Sequence, residues 1–291
     1  LIPLIASCAL ALSSGENITA LLSLFGAYCL YLLFWVVLTL IISTTLKKRA
    51  TVLAVMTGLW FCFSLVLPSI AVNLATESKP VAGKIEVDLA MLSDLRKLGD
   101  GHNAKDAAFQ QLSADLLKKY SVKRIEDLPV NFRGLVAMEA EQKLTQVLNN
   151  YADSRMAAQL EQEKRLADYG WLTPALTIAF VSRSIAGTDL EHYHRFQREA
   201  EALRFAFVQG LNRAHAEKLS YQDDINRNKN EDSWQRARVE SANWQVLDAF
   251  QFRVASIAER IANASSSFRI LLAWLVVALG VLLWCGGRIK P

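Results

Sequence analysis

Three long apolar segments constrain this chain more than any other feature of its sequence. Residues 18–43 and 50–73 are each long enough to cross a bilayer, which takes about 20 apolar residues, and residues 270–285 form a third apolar run. No Asp, Glu, Lys or Arg interrupts any of them, which argues against an ion-coupled transporter. Pro68 is expected to kink or end the second helix. The sequence therefore predicts an all-α membrane protein.

Basic residues predict which side of the membrane each connecting segment faces. Lys47, Lys48 and Arg49 occupy the tight turn between the first two apolar segments, and Arg288 and Lys290 follow the third. The positive-inside rule places both basic clusters in the cytoplasm. The long polar insert between the second and third segments must then lie outside the cytoplasm.

The ends of the apolar segments define three predicted regions. Residues 1–12 are apolar but too short to span a bilayer, and they show neither the basic region nor the cleavage site of a signal peptide. We interpret them as the outer end of a membrane helix that begins upstream, so that the sequence is a fragment of a longer protein or the ordered part of one. Residues 1–75 are then a transmembrane region, residues 76–268 an extracytoplasmic domain, and residues 269–291 the last span with a short cytoplasmic tail.

Helical periodicity runs through the predicted extracytoplasmic domain. Apolar residues recur at three- and four-residue spacing in five stretches, 85–95, 108–120, 132–168, 190–214 and 244–261. A polar stretch at 222–232 is interpreted as a solvated turn. None of the four cysteines lies in this domain, so packing rather than disulfides must hold it together. We predict a helical bundle without strands and without disulfides.

The best-marked helix ends in the sequence surround residues 174–186. Thr173 can cap a helix whose first residue is Pro174, and Gly187 is placed to end that helix. Thr188 is predicted to cap the next helix, with Glu191 completing a capping box. The helix between these signals is too short to span a bilayer, so we expect it to be buried or membrane-proximal. Local chemistry alone supports a helix-turn-helix corner.

Catalytic and metal-binding signals are weak in this sequence. His192 and His194 lie near Asp189 and Glu191, but imidazoles two residues apart on a helix point about 200° apart and do not easily share one ion. The sequence lacks the G-x-x-x-x-G-K-[ST], G-x-S-x-G, H-E-x-x-H and C-x-x-C patterns. Its basic residues are spread among acidic ones, which does not favour nucleic-acid binding. We therefore expect a non-catalytic chain that holds no metal or cofactor of its own.

A set of residues around the predicted corner carries a family resemblance. The set comprises Trp171, Pro174, Gly187, Thr188, Asp189, His192 and Phe196. With the stretch 30–68, a span followed by a basic turn and a second span, it resembles the permease subunits of ABC-2 type exporters. The resemblance is to the subgroup with a large helical extracytoplasmic domain of unknown function before the last transmembrane helix. In this family these residues are expected to be structural rather than catalytic.

The resemblance implies a six-span permease of which this chain covers the later part. Residues 18–43, 50–73 and 270–287 would be the fourth, fifth and sixth spans, and residues 1–12 the end of the third. The first two spans and the coupling helix that meets the ATPase would lie outside the sequence. The implied partners are ABC ATPase subunits that hydrolyse ATP with Mg²⁺, a second permease chain that is identical or a paralogue, and the lipid bilayer. The implied location is the bacterial inner membrane.

Two other functions remain open on the sequence. The chain could be a membrane-anchored receptor or sensor whose helical extracytoplasmic domain binds a ligand, or it could be a scaffold for assembly. Only four residues follow Gly287, too few for an output domain, and we therefore expect the permease. The substrate and the choice between homodimer and heterodimer do not follow from the residues.

Overall fold

The computed structural model describes residues 9–11, 13, 15, 17–101, 103–247 and 250–287, and these form helices and connecting segments without any strand. The all-α prediction is confirmed for them. The main helices, in chain order, are α1 (Ile18–Thr45), α2 (Arg49–Ser78), α3 (Lys84–Arg96), α4 (Gln110–Tyr120), α5 (Phe132–Asp168), α6 (Pro174–Ala186), α7 (Leu190–Lys218), α8 (Tyr221–Asn226), α9 (Glu231–Arg236) and α10 (Ile257–Gly286).

Helices α1, α2 and α10 are long and apolar enough to cross a membrane. They contain 28, 30 and 30 residues and are therefore about 42–45 Å long, more than the roughly 30 Å of a hydrocarbon core. A helix of this length that crosses a bilayer must tilt or project beyond it. All three helices are longer than the apolar segments seen in the sequence, and α10 begins thirteen residues before the apolar run at 270–285.

Pro68 does not end α2. Residues Cys62–Val66 form a π-helical turn in which the Leu67 N–H donates to the Cys62 carbonyl, five residues back. Proline has no N–H and its ring clashes with the carbonyl four residues earlier, so a widened turn just before it relieves the conflict. The helix then continues to Ser78.

The chain divides into two compact units. The first contains the described residues up to Val81, Ala157–His194, and the described residues from Arg253 onward. The second contains Ala82–Met156 and Arg195–Phe252, so that α5 and α7 each contribute to both units. The predicted boundaries at 75/76 and 268/269 concern the side of the membrane and stay predictions.

The first unit is built around α6. Its buried face, which includes Ile178, Val181 and Ile185, packs with Ala27 of α1 and Leu271 of α10. Thirteen residues are too few to cross a bilayer, and the helix is buried among the longer ones. The expectation that this short apolar helix is buried is thereby confirmed.

The same unit contains an aromatic cluster farther along the candidate spans. Phe34 and Trp35 of α1, Phe63 of α2 and Trp274 of α10 contact one another edge to face, with ring centroids 5.6–6.4 Å apart. Such pairs add about 0.5–1.5 kcal/mol each beyond the area that they bury. They therefore join all three candidate spans.

The second unit has its own core. Phe109, Leu128, Phe132 and Val136 are buried together near the start of α5. Close by, the carboxylate of buried Asp224 accepts hydrogen bonds from His215 Nε2 at 3.0 Å and Asn131 Nδ2 at 3.4 Å.

Two local sequence predictions are wrong. The polar stretch 222–232 is not a plain turn, because Ser220 and Asn230 cap the short helices α8 and α9. The apolar stripe from Trp244 to Ile261 is not one helix. Residues Ser241–Leu247 form a 3₁₀ segment, residues 250–256 are non-helical, and a capping box fixes the start of α10 one residue after Ser256.

Candidate functional site

The N-terminal end of α6 is fixed by the side chain predicted to cap it. Thr173 is fully buried, and its Oγ1 accepts a hydrogen bond from the Ala175 N–H at 3.2 Å. The same hydroxyl donates to the Phe63 carbonyl in the π-helical turn of α2, at 2.5 Å. Pro174 occupies the first turn as predicted. The predicted cap is thus confirmed, and it also connects α6 to a candidate span.

A second backbone group just before α6 connects it to α10. The Gly170 carbonyl accepts a hydrogen bond from Thr177 Oγ1 at 2.9 Å and another from Trp274 Nε1 at 3.4 Å. A side chain at position 170 would place its Cβ 3.1 Å from Thr177 Oγ1, which is a tight approach. The segment before α6 therefore contacts both α2 and α10.

The C-terminal end of α6 closes in a Schellman motif. Gly187 has φ +67° and its N–H donates to the Ser184 carbonyl at 3.2 Å, while the Thr188 N–H donates to the Arg183 carbonyl at 2.9 Å. The prediction that Gly187 ends the helix is confirmed.

The predicted capping box of Thr188 and Glu191 is wrong by one residue. Asp189 caps α7, because its Oδ1 accepts a hydrogen bond from the His192 N–H at 2.9 Å. The Thr188 N–H is already used to close α6, and Thr188 is exposed. The shift has the further effect of placing the Asp189 carboxylate against a buried histidine.

The two histidines of the α7 N-terminus have separate partners. His192 Nδ1 lies 2.6 Å from Asp189 Oδ1, and His194 Nε2 lies 2.9 Å from Gln159 Oε1. Both imidazoles are buried. Among the residues that the structure describes, no group of three His, Cys, Asp or Glu side chains could hold a metal ion.

Arg260 of α10 enters this corner, and the sequence reasoning missed it. It is only 6% exposed, and its Nη1 donates to the Ile185 carbonyl at 3.0 Å. A Cβ added at Gly187 would lie 3.5 Å from Arg260 Cδ and 3.5 Å from His192 Cδ2, so the guanidinium stem and the imidazole both lie against the glycine. The sequence feature that could have identified Arg260 is its position as a single arginine on the same helical face as Ile257 and Ala264.

Glu163 and Arg183 add a second charged pair nearby. Arg183 Nη2 lies 3.9 Å from Glu163 Oε1, whose side chain is 21% exposed. Burial raises the pKa of the Glu163 carboxyl, Arg183 opposes that shift, and the charges of Asp189 and Glu191 add to it. We refer to Glu163, Arg183, Asp189, His192 and Arg260 as the corner cluster.

The corner cluster joins four helices of the first unit. Its members come from α5, α6, the start of α7 and α10. Asp189, His192 and Arg260 are buried against polar partners, whereas Glu163 and Arg183 line an open pocket of about 300 Å³. A buried charged group that loses its partner is destabilised by about 3–5 kcal/mol, so the contact of buried Arg260 with the Ile185 carbonyl favours one arrangement of α6 and α10.

The other predicted site residues fall elsewhere. Trp171 is 60% exposed, and Phe196 belongs to the second unit, where its ring lies 5.4 Å from Phe252. The structure therefore brings together Gly187, Asp189 and His192 of the seven residues that carry the resemblance. Lys47, Lys48 and Arg49 are exposed at the α1–α2 turn. Arg288 and Lys290 lie outside the described residues.

A cavity of about 570 Å³ lies in the second unit, between α5 and α7. Its walls combine apolar side chains such as Leu148, Met156 and Phe205 with polar ones such as Asn149 and Glu201. Its volume is that of a small-molecule site.

Comparison with known proteins places one region of the chain in a family. The family model described as "Domain of unknown function (DUF3526)" matches residues 84–253. This range includes all seven residues of the corner resemblance and no residue of the three candidate spans. No curated protein and no solved structure matches the chain.

Proposed function

The chain belongs to the family that carries the domain of unknown function DUF3526, and we propose that it is the transmembrane permease subunit of an ABC-2 type exporter. The observation that carries the proposal is the order of its parts. Two candidate spans joined by a tight basic turn precede the family domain, and a third candidate span follows it. This order agrees with the topology that the basic residues predict.

In this proposal the energy comes from a separate subunit. The sequence has no phosphate-binding G-x-x-x-x-G-K-[ST] loop, so ATP and Mg²⁺ would be held by a partner ABC ATPase. Two permease chains, identical or paralogous, would pair in the inner membrane with the family domain outside the cytoplasm. Nucleotide-driven movement of the spans would reach α6 through Thr173 and the Phe63 carbonyl.

The test is purification of the complex from membranes in which the chain and its candidate ATPase are co-expressed. We expect the two proteins to co-purify in fixed stoichiometry, and ATP hydrolysis to be lost when the catalytic acid of the ATPase is replaced. Hydrolysis at an undiminished rate by the purified chain alone would overturn the proposal.

A receptor or sensor is the second candidate, and the 570 Å³ cavity between α5 and α7 favours it. A receptor requires a ligand but no ATPase. Ligand-dependent stabilisation of the chain without any associated nucleotide hydrolysis would support this candidate over the permease.

A further inference from the structure

A second cavity, of about 430 Å³, lies between α1 and α2 at the end where the two helices are joined. Its walls are formed by residues of both helices and of the turn: Thr39, Ser43, Leu46, Lys47, Arg49, Val52, Leu53 and Met56. Thr39 lies seven residues before Leu46 and Met56 lies seven residues after Arg49, so the cavity extends about 10 Å along the helices. It is a wedge that opens between two candidate spans.

The chemistry of this wedge changes along its length. Lys47 and Arg49 supply two positive charges at the basic end, and Leu46, Val52 and Met56 give apolar walls beyond them. The hydroxyls of Thr39 and Ser43 already donate to carbonyls of their own helix. The cations are therefore the side chains that can bind an anionic group, and the remainder of the wedge suits hydrocarbon.

The start of α2 adds backbone donors at the same end. Lys48 is its N-cap residue and makes no side-chain capping bond to the first turn. The first N–H groups of a helix have no partner within the helix and favour an anion. They lie directly beside Arg49, so side-chain charge and backbone donors coincide.

We propose that this wedge binds one anionic phospholipid. The phosphate contacts Lys47, Arg49 and the first turn of α2, and an acyl chain lies against Leu46 and Met56. A free phosphate would use only the basic end and would leave the apolar walls uncovered, whereas a zwitterionic lipid would bring a positive group to two cations. Basic pockets between spans bind anionic headgroups on the same physical grounds. The inference does not depend on transport.

The experiment uses the purified full chain in detergent, titrated with phosphatidylglycerol or phosphatidylcholine and followed by native mass spectrometry. We expect one phosphatidylglycerol to be retained in preference to phosphatidylcholine. The double variant Lys47→Gln/Arg49→Gln should bind phosphatidylglycerol about tenfold more weakly, because it removes both positive charges that attract the lipid phosphate. The matched single variants are Lys47→Gln and Lys48→Gln, which each remove one positive charge from the same turn. Only Lys47 lines the cavity, so Lys48→Gln should weaken binding less than Lys47→Gln.

A second variant tests the apolar part of the wedge. Met56→Trp keeps both cations but fills the cavity, and it should also lower phosphatidylglycerol retention. Size-exclusion chromatography and circular dichroism of each variant establish that it is folded. The proposal is overturned if Lys48→Gln weakens binding as much as Lys47→Gln, if inorganic phosphate at the same concentration as the lipid displaces it, or if folded Met56→Trp retains phosphatidylglycerol normally.

Discussion

Gly187 is the residue of the corner whose backbone most restricts substitution. Its φ of +67° lies in the left-handed region, where a β-branched side chain is strained. We expect Gly187→Val to destabilise the chain by about 1–3 kcal/mol, the usual cost of such a backbone position. The measurement is thermal unfolding of the detergent-solubilised chain followed by circular dichroism.

Gly187→Asn is the matched control, because asparagine adopts the left-handed conformation more readily. It should lose less stability than the valine variant. Equal stability of the valine variant and the native chain would contradict the Schellman assignment and leave the permease proposal untouched.

Glu163 gives the corner a pH dependence whose sign follows from burial. Because its pKa is raised in the folded chain, the folded state binds a proton more readily than the unfolded state. The stability that the folded chain gains from binding this proton is complete below the pKa of an unfolded glutamate. It is lost as pH rises through the raised pKa of Glu163. The melting temperature of the native chain minus that of Glu163→Gln should therefore increase from about pH 7 to about pH 4.

Glu161→Gln is the control on the same helix. A hydrogen bond from Lys164 lowers the pKa of the exposed Glu161 carboxyl, so the corresponding difference in melting temperature should change weakly and in the opposite direction. If the melting temperature of Glu163→Gln runs parallel to that of the native chain at all pH values, burial does not dominate the pKa of the Glu163 carboxyl.

At the scale of elements, Thr173 connects α6 to the π-helical turn of α2. Thr173→Val removes the helix cap and leaves the Phe63 carbonyl without its donor, at a cost of about 1–3 kcal/mol. Thr173→Ser keeps the hydroxyl and should unfold close to the native temperature. Thermal unfolding of both variants measures the difference, and a loss of stability in Thr173→Ser but not in Thr173→Val would show that the methyl group rather than the hydroxyl matters.

Helices α5 and α7 cross at a position that requires glycine for its size. A Cβ at Gly134 would lie 2.4 Å from the Ala216 backbone nitrogen and 2.6 Å from the Ala216 Cα. We expect Gly134→Ala to push the two helices apart and to cost about 1–3 kcal/mol in chemical unfolding of the detergent-solubilised chain.

The control for this crossing is Gly210→Ala, on α7, where a Cβ would have no heavy atom within 4 Å. Alanine is the better helix former, so this variant should be more stable by about 0.5–1 kcal/mol. The reverse order of the two alanine variants would mean that the helices do not approach this closely.

At the scale of the whole molecule, the basic turn predicts the side of the membrane on which each region lies. In a background without the native cysteines, single cysteines at Lys105 or Lys229 should react with an impermeant maleimide in intact cells. A cysteine at Lys48 should react only after the cells are permeabilised. All three positions are exposed, so accessibility of the side chain does not limit the result. The reverse labelling pattern would overturn the predicted topology.

Much of the helical layout follows from local rules. The bounds of α5 and α6 agree with the sequence predictions, and those of α6 are marked by the strong local signals Thr173, Pro174 and Gly187. The prediction of one helix from Trp244 to Ile261 is wrong because apolar residues at helical spacing are compatible with a helix but do not require one. The capping box at Ser256 and Glu259 is a local signal that marks the true start of α10.

The sequence by itself determined that this is a helical membrane protein with a helical family domain between its second and third candidate spans. Segment length, hydropathy and capping act over at most a few turns of chain, so they can be evaluated without knowing the fold. Only the tertiary structure decided that Arg260 lies against Gly187, that Thr173 bonds the Phe63 carbonyl, and that Lys47 and Arg49 share a cavity with Met56. The first two contacts join residues 73 and 110 positions apart, and the cavity depends on how closely two separate helices pack. The packing of distant segments determines which residues make these contacts, and no local sequence pattern predicts that packing.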